Sequence, residues 1–337
     1  MRIALIGSVS SSKQALESLH ENDVDVCCAM GLSPEVVAPE VRTPQDRTPQ
    51  DRAPQGKADG DEKNDRRPRR VVSDYRDLAP TAEQAGIPYL AFRKVSDPQV
   101  EPFLRNHSPD LIWVIGISQL VPDSLINIAP HGGIGFHPTM LPRGRGRAPV
   151  AWTILLEETP AVSLFFLTDE ADAGDLLAQR AVPTSGRDYA ADLIDRTNDV
   201  LAEVIKDLAP ALKSGNLPRT PQDHTKATFY GKRTPADGLI LWNGSVSRIH
   251  RLIRAASHPY PGAFTSCNGG EQEDAKLIIW RAETVKASAP SDGWLPGRIH
   301  SRGADDSICV ECADGMLRMT DYQCADPARL MPGVHLG

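Results

Sequence analysis

The sequence predicts an α/β fold: a Rossmann-like, doubly wound parallel sheet, followed by a small β-rich domain. Three observations carry this. Near-continuous apolar runs at 2–9, 24–30 and 111–115 suit strands buried on both faces. Helical stripes lie between such runs, as in a parallel sheet covered by helices. After about residue 215 the rhythm changes to short strands separated by turn signals.

Each element follows in order. Arg2–Val9 is a strand, Lys13–Glu21 a helix and Val24–Met30 a second strand, which is a βαβ start. Residues 43–57 carry a five-residue repeat rich in Pro, Gln, Asp and Arg, and polar residues continue to Arg70. With no apolar periodicity, 40–70 is predicted to be a disordered insertion. Its basic end, Arg66 to Arg70, reads as a solvated linker in preference to an RNA contact.

Beyond it, Leu78–Ala85 is a helix, Ile87–Phe92 a strand and Leu111–Ile115 a buried strand ending at Gly116. Pro122–Ile128 is a helix, Ile134–His137 a strand, Pro149–Glu157 a helix and Val162–Leu167 a strand. Ala190–Leu212 is a long helix whose stripe includes Leu193, Val200, Leu201, Val204 and Leu208. Residues 1–215 form the first domain on this reading and 216–337 the second. The second opens with a helix, Ser245–Ala256. Strands at 263–266, 277–282, 297–300, 308–311 and 316–320 then suggest a small open, OB-like barrel.

The 337 residues are long enough for two cores. A net charge of −7 supplies no global cationic field for nucleic acid or membrane. No apolar run approaches the roughly 20 residues of a membrane helix. The N-terminus reads as a first strand in place of a signal peptide, so a cytoplasmic chain is expected. The six cysteines show no zinc-like spacing and read as reduced structural thiols. Ser10 to Ser12 follow the first strand without a Gly-x-Gly-x-x-Gly pattern, which excludes a dinucleotide site there.

The chemistry concentrates at Gly133–Gln179. His137 sits at the carboxyl end of a predicted strand, where open α/β sheets bind ligands. Pro138 holds it in extended geometry. Its ordinary pKa of about 6.5 suits proton transfer. Asp172, in the loop after Val162–Leu167, is placed to orient it and raise that pKa. Ala173-Gly174 is expected to let the backbone approach a ligand. Read from the residues alone, a strand cap and a turn residue explain the pair equally well.

The context decides. His137-Pro-x-x-Leu-Pro142-x-x-Arg145-Gly-Arg147-Ala-Pro149, followed by Asp172-Ala-Gly174-Asp175, resembles the folate-dependent formyltransferases. His258-Pro-Tyr-Pro-Gly-Ala-Phe264 and Lys276-Leu-Ile-Ile-Trp280 resemble the barrel-type tail of the sugar N-formyltransferases and of methionyl-tRNA formyltransferase. The resemblance covers nearly the whole chain outside the insertion and implies the formyltransferase fold. It implies formyl transfer from 10-formyltetrahydrofolate to an amine, with no metal and no covalent nucleophile. His137 matches the family's catalytic histidine and Asp172 its aspartate.

One position departs. The family's third residue, an asparagine two places before the histidine, is Gly135 here. Losing one oxyanion donor costs on the order of 3 kcal/mol. Gln119, at the end of the neighbouring strand, is the candidate replacement; a bound water is another, and Asn127 lies on a predicted helix. The resemblance places the pterin against Pro88, Tyr89, Leu90 and Phe92 and against Thr168, Asp169 and Glu170. Arg143, Arg145 and Arg147 beside the site suggest an anionic substrate, since Arg binds phosphate as a fork; for Arg145, fixing the loop to the fold is an equal alternative. Three readings stay open: a small-molecule amine such as a nucleotide-linked amino sugar, methionyl-tRNA as the acceptor, or a folate-binding protein without transfer activity. Relatives of the sugar type imply pairing as a homodimer through the C-terminal region.

Overall fold

The computed structural model describes residues 1–37, 72–117, 119–267, 276–285 and 293–337. The insertion expected at 40–70 lies outside them. The first sheet has seven strands: β1 (Ile3–Gly7), β2 (Val26–Leu32), β3 (Tyr89–Phe92), β4 (Leu111–Ile115), β5 (Gly133–Thr139), β7 (Pro160–Phe166) and β8 (Leu176–Ala181). Its order is β3-β2-β1-β4-β5-β7-β8. The first five pair in parallel. β7 runs antiparallel to β5, and β8 antiparallel to β7. The sheet is therefore mixed at one edge. All seven residues of β7 are buried, so its apolar run is the same as that of a parallel strand. β8 is half-exposed and carries no such run, which is why the sequence pattern misses it.

Alternation along β1 divides the core. Ile3 and Leu5 face a layer built with α1 (Ser10–Glu21), α2 (Ala79–Gln84), α5 (Pro149–Leu156) and α6 (Ala190–Ser214). Ala4 and Ile6 face the other layer, with α3 (Val100–His107) and α4 (Asp123–Ile126). The stripe on α6 is buried as its period requires, and Gly215 (φ 79°) ends the helix.

The second domain opens with α7 (Val246–Ala256), capped by Ser245, whose hydroxyl accepts from the Arg248 amide. Five antiparallel strands follow in the order β10-β11-β14-β13-β12: β10 is Ala263–Ser266, β11 Lys276–Val285, β12 Ile299–Arg302, β13 Ile308–Glu311 and β14 Met316–Cys324. His335 bridges Arg298 just before β12, and Leu336 bridges Cys267 just after β10. That segment joins the two edges, so the sheet closes as a small barrel. Cys312 is buried and Cys309 half-buried, and the described cysteines are all free thiols.

The two cores interlock. The Tyr189 hydroxyl donates to the Ala282 carbonyl (2.9 Å) and accepts from the Ala282 amide (3.1 Å). Arg254 donates to the Asp188 carbonyl at 3.1 Å. No helix among the described residues is long and apolar enough to cross a membrane.

Candidate active site

His137 lies near the end of β5 and is 5% exposed. Pro138 supplies no amide, and the β5–β7 register shifts between His137 and Thr139. The ring is held from one side: Nε2 is 2.7 Å from the Gly144 carbonyl oxygen. A carbonyl only accepts, so Nε2 carries the proton and Nδ1 is the atom that titrates. Nδ1 lies 3.7 Å from Asp172 Oδ2. Burial pushes the His137 pKa below its ordinary value; the Asp172 charge and the Gly144 bond oppose this without overcoming it. The expected upward shift is thus reversed, because the site is drier than the sequence indicates. His137 is neutral at neutral pH and faces the carboxylate with a lone pair.

Asp172 adopts the left-handed region (φ 57°), which aspartate tolerates. Its Oδ2 also accepts from the Gly146 amide at 2.8 Å. Gly174 is required for a different reason than ligand approach. A Cβ there would lie 1.8 Å from the Phe166 carbonyl oxygen, so the glycine serves contact between loop and strand. The loop is clamped from outside by Gln222, whose amide nitrogen donates to the carbonyls of Asp172 (2.9 Å) and Gly174 (2.7 Å). Gln222 carries no local sequence signal for this role.

The arginines divide. Arg145 is 1% exposed. Its guanidinium pairs with Glu170 (3.1 Å), donates to Gln222 Oε1 (2.9 Å) and lies 3.3 Å from His224 Nδ1. It fastens two loops together. The two-residue strand β6 (Arg145–Gly146) pairs with β9 (Phe229–Tyr230) in the same contact. Arg143 and Arg147 are exposed and do not line the cleft around His137.

That cleft has a volume of about 920 Å³ and is lined by His137, Asp172, Gln119 and Gly135, among others. Thr168, Asp169 and Glu170 line it too. Pro88, Tyr89, Leu90 and Phe92 do not. Strand β3 is the sheet's edge, four strand spacings or roughly 19 Å from β5. Phe92 is buried in the core instead. The segment after β4 takes the place next to β5: Ile117, Leu120 and Val121 line the cleft, and Leu120 is 92% exposed.

Gln119 is anchored by its oxygen, which accepts from the Val95 amide at 3.1 Å. Its Nε2 is buried and has no hydrogen-bond partner among the described residues. At Gly135, a Cβ would meet Phe165 Cζ at 2.6 Å and Leu167 Cδ2 at 2.9 Å. The space that a side chain would take is filled from β7 and the loop that follows it. Asn127 follows α4 at its C-cap and does not line the cleft. Among the described residues, no group of three or more His, Cys, Asp or Glu is arranged to hold a metal ion.

Residues 1–207 match the family described as formyl transferase, and 232–332 match the formyl transferase C-terminal domain. The chain belongs to the formyl transferase family of enzymes. Solved structures share its fold. HypX from Aquifex aeolicus, in complex with tetrahydrofolic acid, aligns with a TM-score of 0.60 at 17% identity, over 97% of this chain and 44% of that one. WlaRD, a sugar 3N-formyl transferase studied with dTDP and 5-N-formyl-THF, aligns at 0.58 and 13%, over 95% and 96%. The N-formyltransferase from Helicobacter canadensis, in complex with folinic acid and dTDP-3-aminofucose, aligns at 0.57 and 13%, over 95% and 99%. The chain spans less than half the length of HypX.

Proposed function

We propose that this chain transfers a formyl group from 10-formyltetrahydrofolate to the primary amine of a small molecule. The observation that carries the proposal is a buried, neutral His137 whose Nδ1 faces Asp172 in a cleft that Gln119 also lines. The family membership and the folate-bound structures of like fold support the same donor. The cleft suits it: Ile117, Leu120, Val121 and Leu167 offer an apolar slot for a flat ring system, and the peptide groups at strand ends can read its polar edge.

The residues divide the work. His137 Nδ1 takes the proton that the amine loses as its nitrogen bonds to the formyl carbon, and returns a proton to the folate nitrogen as that carbon–nitrogen bond breaks. Asp172 stabilises the imidazolium formed in between and is oriented for this by Gly146 and Gln222. Gln119 Nε2 donates to the formyl oxygen as charge develops there, the role the family gives to the asparagine missing at 135. The flanking apolar side chains keep water from competing with the amine.

The finer reading, a nucleotide-linked amino sugar, is supported by two N-formyltransferases of like fold that align over nearly the whole of both chains. The arginines add little to it, because Arg145 is committed to Glu170 and Gln222 and the other two stand outside the cleft lining. No observation favours charged tRNA or a binder without activity.

The test is direct. Purified protein is incubated with 10-formyltetrahydrofolate and a panel of amines, and formylated amine and tetrahydrofolate are quantified by mass spectrometry. Stoichiometric formation of both, abolished in His137→Ala, is the expected result. Folate turnover independent of added amine would replace transfer with hydrolysis.

A further inference from the structure

A neutral imidazole has one ring proton, and His137 has an acceptor on each side. The Gly144 carbonyl oxygen stands 2.7 Å from Nε2, and Asp172 Oδ2 stands 3.7 Å from Nδ1. A carboxylate is the stronger acceptor once it comes within hydrogen-bond reach, but 3.7 Å lies beyond that reach. The proton stays on Nε2 because the Gly144 carbonyl is the nearer partner. The lone pair on Nδ1, which takes the amine's proton, therefore depends on where one peptide group points.

Gly144 does little by itself to keep that peptide in place. Its φ is 71°, and without a Cβ its backbone turns more freely than that of other residues. The hold comes from its neighbours. The Arg143–Gly144 peptide lies between two hydroxyls. Thr139 Oγ1 donates to the Arg143 carbonyl at 2.9 Å, and Thr228 Oγ1 accepts from the Gly144 amide at 2.8 Å. The Gly144–Arg145 peptide lies between His137 and the Thr228 backbone. Its carbonyl receives the Nε2 proton, and its amide donates to the Thr228 carbonyl at 2.9 Å. The Thr228 amide donates in turn to the Pro142 carbonyl at 3.3 Å. A peptide group is rigid and planar, so a flip of either one breaks a bond to Thr228. Thr139 lies on β5 with His137, and its hydroxyl is also 3.4 Å from the Gly144 carbonyl. Thr228 comes from the stretch between α6 and α7, just before β9, and does not line the cleft.

We propose that Thr228 is a positioning residue for His137: by fixing both peptide groups of Gly144 it keeps the ring proton on Nε2 and leaves Nδ1 as the base. The catalytic consequence rests on the transfer reading above; the effect on the ring does not. If the Gly144 carbonyl turns away, Nε2 loses its acceptor. The proton is then better placed on Nδ1, toward the Asp172 charge, and Nδ1 no longer accepts one from an amine.

Thr228→Val keeps the shape and the backbone contacts and removes the hydroxyl that receives the Gly144 amide. Thr228→Ser keeps that hydroxyl. Nitrogen NMR of labelled histidine at alkaline pH locates the ring proton, with the His137 signals identified by their loss in His137→Ala. In the parent the proton is expected on Nε2. In Thr228→Val it is expected to be shared with Nδ1, with kcat lowered by about tenfold, the scale of one hydrogen bond, and KM little changed. Thr228→Ser is expected to restore both readings. A Thr228→Val protein that keeps the proton on Nε2 overturns the proposal, even with a lower kcat, because the hydroxyl then serves loop stability alone. A parent with the proton on Nδ1 overturns it too. If no form transfers formyl and Thr228→Val still moves the proton, the transfer reading fails and the hold on His137 stands.

Discussion

Gly135 and Phe165 face each other across β5 and β7, and the Phe165 ring fills the volume that a side chain at 135 would need. Phe165 is 3% exposed. A Cβ at 2.6 Å from Cζ forces either the ring or the strand to move. Gly135→Ala is therefore expected to destabilise the fold by about 1–3 kcal/mol, the usual cost of overpacking. Phe165→Leu in the same chain is expected to recover about half of that loss. Chemical denaturation of the four proteins of this cycle checks both; strict additivity would remove the steric explanation.

With position 135 closed to an amide, the proposed mechanism assigns the oxyanion contact to Gln119. Gln119→Glu keeps an oxygen to accept from Val95, but it replaces the donor by a second acceptor and adds a negative charge. Its expected effect is a fall in kcat of at least about 10²–10³, roughly 3 kcal/mol or more, with some loss of thermal stability from the buried charge. A variant with parental kcat would return the role to water or to a backbone amide.

Protonation of His137 provides a third test. The lowered pKa means that the unfolded chain, near 6.5, binds its proton before the folded one does. The folded state is therefore penalised as pH falls from about 6.5 through the folded pKa. Above that window His137 contributes nothing to the pH dependence. Heteronuclear NMR of the imidazole should report a midpoint below 6.5. Asp172→Asn removes the charge that opposes burial, so the midpoint should fall further. A rise in that variant is incompatible with the pair as described.

Gln222 holds the Asp172 loop from 50 residues away in sequence. Gln222→Ala leaves the carbonyls of Asp172 and Gly174 without their donor and leaves that arm of Arg145 with His224 alone. A loss of about 1–3 kcal/mol is expected for stranding such groups. Hydrogen exchange should quicken at Ala173 and Gly174, and kcat should fall with it, because Asp172 loses its fixed orientation. Unchanged exchange would assign Gln222 to stability alone.

Much of this was legible in the chain. The strand over 308–311 is found where alternation and turn signals place it, and the apolar runs of β1, β2 and β4 fix the parallel half of the sheet. His137 and Asp172 were visible because a rare spacing of Pro and Gly surrounds them. For Arg145 the sequence left phosphate binding and loop fixing equally open, and its partners Glu170 and Gln222, the latter 77 residues away, correspond to the second. Burial of that kind is a tertiary property with no local signal. The same holds for Pro88 to Phe92, whose distance from the cleft follows from strand order and not from sequence proximity. The direction of the β5–β7 pairing was hidden too, since a strand buried on both faces looks alike in either orientation.

Tyr260 belongs to the second domain yet walls the cleft of the first. A chimera that joins the first domain to a foreign barrel would therefore rebuild one wall of this cleft. The cleft is the joint product of two folding units, and neither can be exchanged as a neutral module.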